Sequence, residues 1–110
     1  MDLQIELQHQ VDCLQKSLEN LRKTGSEYAK AERDYKVLLR QEVLKLRSEG
    51  EAIGVITLIC YGIPSVAEAR FKRDVAEAVY KANQEAINTY KLKIKLIENQ
   101  IGRELTNANY

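Results

Sequence analysis

Histidine and proline each occur once in these 110 residues, cysteine twice and glycine five times. So little proline and glycine excludes collagen-like and low-complexity disordered chains, and two cysteines exclude a disulfide scaffold. Cys13 and Cys60 stand far apart, and with His9 as the lone histidine they leave no set of zinc ligands. Charge of one sign is also missing, because 17 basic residues face 16 acidic ones for a formal +1. That balance suits neither an acidic nucleic-acid mimic nor a basic packaging protein. The N-terminus, Met1-Asp2-Leu3-Gln4-Ile5-Glu6, carries acids where a signal peptide needs bases. The longest apolar run, Ala52 to Ile63, is interrupted by Gly54, Thr57 and Gly62 and falls short of the ~18 residues needed to span a bilayer. These absences predict a soluble protein of the cytoplasm, with reduced thiols and no membrane partner.

What is present is helical periodicity. Leu7, Val11, Leu14, Leu18 and Leu21 alternate steps of four and three, and the register continues through Gly25, Tyr28, Glu32, Tyr35, Leu39, Glu42 and Leu46. The spacing predicts one long helix over about 2–48; Thr24 and Glu27 have capping-box spacing, which makes Gly25 a candidate hinge, although the seven-residue register from Leu21 to Tyr28 is unbroken. Ser48-Glu49-Gly50 is its stop, Gly50 supplying the left-handed residue. The apolar segment 51–61 reads as a short buried helix. A strand, which its β-branched residues would allow, would have nothing to pair with. Pro64 breaks it, and Ser65-Val66-Ala67-Glu68 is a capping box for a last helix over about 66–105. The seam of that helix is Ala69, Ala76, Tyr80, Ile87, Ile94 and Ile101, widened by Val79, Tyr90 and Ile97.

The two long helices predict an all-α, coiled-coil-like antiparallel hairpin with the short helix at its turn, forming a single domain over 1–110. A second apolar line, Phe71, Ala78, Leu92 and Leu96, lies on the opposite side of the last helix. The central helix is expected to cover Phe71. Leu92 and Leu96 are left for another chain, so a homodimer is expected, its contacts shared with the narrow Leu7 to Leu21 seam.

Motifs that carry chemistry are missing: no His-Glu-x-x-His, no Gly-x-Ser-x-Gly, no phosphate loop and no Glu-x-x-His. No enzyme activity, metal, cofactor or small-molecule substrate is therefore expected. The acids look mostly like helix surface, and five of them stand four residues before a base: Asp12 with Lys16, Glu19 with Lys23, Glu32 with Lys36, Glu68 with Lys72 and Glu77 with Lys81. The exception is a set of bases near the turn. Arg33, Lys36, Arg40 and Arg47 share one edge of the first helix, and Arg70-Phe71-Lys72-Arg73 returns to the same end. Bases in the first turns of a helix oppose its dipole, which suits a site for phosphate or an acidic surface. The plain alternative is flanking charge that selects helix pairing.

The runs Ser26-Glu27-Tyr28-Ala29-Lys30-Ala31-Glu32-Arg33-Asp34-Tyr35 and Val66-Ala67-Glu68-Ala69-Arg70-Phe71-Lys72-Arg73-Asp74-Val75-Ala76-Glu77, with the Ile94 to Ile101 end, carry a resemblance. Over residues 26–105 the chain resembles small helical proteins encoded in the early regions of phages and prophages of Gram-positive bacteria. The resemblance implies inhibition of host defence, including the anti-CRISPR type, or an accessory role in phage replication and recombination, in the host cytoplasm. Three functions follow as expectations. The first is a non-enzymatic protein that docks by its turn end on a nucleic-acid-handling host or phage protein and modulates it. The second is direct binding of DNA or RNA through the same bases, and the third a structural coiled-coil scaffold.

Overall fold

The computed structural model describes residues 2–108, which form α1 (Leu3–Ser48), α2 (Ile53–Ile59), a 3-10 turn (Cys60–Gly62) and α3 (Pro64–Ala108). Among the described residues there is no strand, and α1 pairs with α3. The chain divides into two compact units. One holds α1 up to Lys23 with α3 from Lys81 onward; the other is Thr24–Tyr80. No single helix among the described residues is long and apolar enough to cross a membrane.

Asp2 starts α1, its Oδ1 accepting the Gln4 N–H at 2.8 Å. The backbone at Gly25 is helical. A Cβ at Gly25 would stand 3.8 Å from the Tyr80 ring, an ordinary contact, so the packing there does not require glycine; the Tyr80 ring lies 5.9 Å from that of Tyr28. α1 stops as its sequence predicts. Gly50 has φ +88°, its N–H donates to the Arg47 carbonyl at 3.0 Å, and the Glu51 N–H donates to the Leu46 carbonyl at 3.1 Å. Those two bonds form a Schellman cap, which satisfies carbonyls that the end of a helix would leave bare.

The segment after Gly50 is helical, but it is not the buried helix that its composition predicts. Only Ile56 and Cys60 are buried, while Leu58 is 83% and Ile53 69% exposed. Nor does it cover Phe71, which is 62% exposed. A seven-residue helix has room to bury one narrow stripe, and here that stripe is Ile56 continued by Cys60.

α3 begins at Pro64, earlier than the capping box predicts, with the Ala67 N–H donating to the Ile63 carbonyl at 2.9 Å. Proline at the first helical position has its φ already set and no N–H to leave unpaired. Ser65 therefore lies inside the first turn rather than ahead of it. Val66, next in line, is fully buried.

The inward face of α3 in the Thr24–Tyr80 unit runs Val66, Ala69, Arg73, Ala76 and Tyr80, and in the other unit Asn83, Ile87, Tyr90, Ile94, Ile97 and Ile101. Steps of three and four keep this a narrow seam. It matches the predicted one, except that Val79 is exposed and Arg73 takes an inward place. On α1, Leu7, Val11, Leu14 and Leu21 are half-buried, but Leu18 is exposed. A contact between two helices covers a strip too narrow for the whole predicted stripe, and the flank with Leu18 falls outside it.

Polar residues turn in instead. Asn83 Nδ2 donates to the Ser17 carbonyl at 3.0 Å, and Gln10 is only 6% exposed. Gln10 Nε2 donates to Glu6 at 3.0 Å, while its buried Oε1 has no hydrogen-bond partner among the described residues. An unsatisfied buried carbonyl destabilises the fold by about 1–3 kcal/mol. Gln10→Leu is therefore expected to raise stability by about 1 kcal/mol in thermal unfolding followed by circular dichroism. A lowered midpoint would show that Oε1 is satisfied in solution.

Candidate functional site

The bases picked out in the sequence all lie in the Thr24–Tyr80 unit, and the structure sorts them into different surroundings. Lys36, Arg40 and Arg47 stand along one edge of α1, together with Leu39, Val43 and Leu44. These six residues line a hollow of ≈ 540 Å³. A second hollow, of ≈ 260 Å³, lies where Leu39, Val43 and Arg47 of α1 meet Ile53, Ile56 and Thr57 of α2 and Cys60 and Tyr61 of the 3-10 turn. The two share Leu39, Val43 and Arg47 of α1 and are together called the groove. Its walls are helical because the Gly50 cap turns the chain back and α2 then lays Ile56 and Cys60 inward.

The floor of this groove is apolar and its rim is cationic. Lys36 is held by Glu32, its neighbour four residues earlier, at 3.4 Å. Among the described residues neither Arg40 nor Arg47 has an ion-pair partner. The Arg70 guanidinium lies 5.7 Å from the centroid of the Tyr61 ring, a cation–π contact that brings a base from α3 to the groove wall. No charged residue occurs between Glu51 and Glu68, so no carboxylate from that segment offsets these cations.

The other predicted residues do not join them. Arg33 is exposed and pairs with the adjacent Asp34 at 3.3 Å. Lys72 lines a different hollow, on the other flank of α1, with Glu27, Asp34 and Glu68. Phe71 is exposed. Arg73 belongs to the α1–α3 seam, a correction to its reading as a surface base. Its guanidinium sits 4.6 Å from the centroid of the Tyr35 ring, 3.7 Å from Glu32 and 2.8 Å from Asp74. The hydrogen bond that Arg73 donates to Asp74 holds its pKa above the ordinary arginine value, against a smaller opposing effect of burial. The supposed conflict with the helix dipole also lapses. Since α3 starts at Pro64, Arg70, Lys72 and Arg73 stand beyond the first turn, where the dipole effect has faded.

Sequence reading missed Leu39, Val43, Leu44 and Tyr61 as parts of a surface. The heptad spacing places Leu39 in the seam; the available signal in the sequence is Leu44, outside that register and beside the basic edge. The predicted interchain residues Leu92 and Leu96 are exposed, at 58% and 56%, in the unit that ends α3. Cys13 is half-buried, its sulfur 3.8 Å from His9 Nε2, and among the described residues no group of histidine, cysteine and acidic side chains is placed to hold a metal. No family model, curated protein or solved structure matches the chain.

Proposed function

We propose that this is a non-enzymatic interaction protein of the phage or prophage anti-defence type, which docks through the groove beside α2 on a nucleic-acid-handling protein and modulates it. A host defence nuclease, as for an anti-CRISPR protein, is the specific target of this reading, and the bacterial cytoplasm its place of action. In this account the chain is an antiparallel hairpin that pairs with a second copy through Leu92 and Leu96, leaving the groove free. The observation that carries the reading is an apolar groove, with Leu44, Ile53 and Tyr61 exposed in its lining, rimmed by Arg40 and Arg47, which have no ion-pair partner among the described residues. A protein interface combines apolar anchors with complementary charge at its edge. The formal charge of +1 fits that better than the broad positive field that steers a protein to bare DNA.

Direct nucleic-acid binding is a second reading, favoured by the same unpaired arginines. Capture from host lysate, with and without nuclease treatment, separates the two. The docking account expects one host protein to be retained after nuclease treatment, and released by Val43→Asp. Loss of all retained protein on nuclease treatment, with salt-sensitive binding of purified DNA or RNA, would favour the second reading. A scaffold role would leave every groove variant without effect.

A further inference from the structure

The groove has features that specify what kind of chain would lie in it. Lys36, Arg40 and Arg47 follow one line along α1 at intervals of four and seven residues, which is about 6 and 10 Å along a helix axis. Leu39 and Val43 run beside them, one turn apart, and the exposed Ile53 and Tyr61 line the smaller hollow from the other side. Every wall is helical, and no strand edge occurs among the described residues. An extended peptide would find no backbone ladder to join here. A helix brings its own backbone hydrogen bonds and needs only side-chain contacts.

The rim decides the charge of the occupant. A second copy of this chain, docked about a two-fold axis through this face, would set Arg40 and Arg47 against the same cations, a costly juxtaposition. A nucleic acid would satisfy the cations but leave the apolar floor without a partner. We infer that the groove takes an amphipathic helix of a partner protein, with apolar side chains on the face toward Leu39 and Val43 and carboxylates along the edge that meets Lys36, Arg40 and Arg47. The inference rests on the docking reading above and adds the fold and the charge of the segment that docks.

The probe is a synthetic helix of about 20 residues, roughly 30 Å long. It carries leucines on one face and, along that face's edge, glutamates spaced four and seven residues apart. A control of identical composition has its glutamates on the far face. Fluorescence anisotropy should show the matched peptide binding at least about tenfold more tightly than the control. Arg40→Glu combined with Arg47→Glu should remove that advantage; both side chains are exposed, so helicity by circular dichroism should be unchanged. Equal binding of the two peptides, or an unaffected double variant, overturns the inference. So does tighter binding of anionic phosphatidylglycerol vesicles or single-stranded DNA than of the matched peptide. If Val43→Asp releases a captured partner while the arginine double variant retains it, docking stands and the acidic helix falls. If neither releases it, both fall.

Discussion

Arg73→Glu is expected to destabilise the protein by about 2–4 kcal/mol, whereas Arg70→Glu, three residues earlier, should change stability by no more than about 0.5 kcal/mol. Arg73 is 20% exposed and is shared between Glu32 and Asp74 while its guanidinium lies over Tyr35. Reversal removes two ion pairs and a cation–π contact, and sets a third carboxylate beside Asp74 and beside Glu32, which keeps only Lys36 as a partner. The effect is set below the ~3–5 kcal/mol of a fully buried broken pair because the site retains some solvent. Arg73→Lys should recover only part of the loss, since an ammonium neither stacks nor bridges two carboxylates as a planar fork does. Thermal unfolding by circular dichroism reads this directly, as a drop of about 10–20 °C for Arg73→Glu. A midpoint equal to wild type would place Arg73 outside the seam. Any test of the turn-end bases by charge reversal therefore has to use Arg40, Arg47 or Arg70.

Val66→Asp should be at least as damaging, at about 3–5 kcal/mol. Val66 is fully buried in the first turn of α3, in a unit whose other buried apolar residues are Tyr35, Ile56 and Cys60. An acid near a helix N-terminus gains ~0.3–1 kcal/mol from the dipole, too little to offset burial of an unpaired carboxylate. Unfolding should shift to lower temperature at neutral pH and recover in part as acidification neutralises the new side chain. A pH-independent loss of the same size would mean that packing, not charge, sets the cost. Val66→Ala then supplies the packing contribution alone.

The long helices were legible because each signal was strong and local. The α3 stripe from Ala69 to Ile101 needs only its spacing, and Gly50 can end a helix in a way other residues cannot without strain. In the sequence Pro64 signals a break, but it is equally suited to the first helical position, and there it takes the role that the box beginning at Ser65 would fill. Arg73 escaped because apolar periodicity skips charged residues, although its place between Ala69 and Ala76 is a seam position and Tyr35 offers a face for it to lie on. α2 escaped for the opposite reason. A segment that is apolar nearly all round reads as core, and composition alone cannot tell a buried helix from one whose outer face awaits a partner. The groove needed both missing pieces, the exposed side of α2 and the line of cations on α1.

The claim that the groove is the working surface is tested most directly by hydrogen–deuterium exchange on the complex with the protein captured from host lysate. The account predicts slowed exchange in the C-terminal part of α1 from Lys36 and through α2 to Tyr61, with the Leu92 to Ile101 stretch exchanging as it does in the free protein. Protection confined to Leu92–Ile101, with Lys36–Tyr61 unchanged, would contradict it.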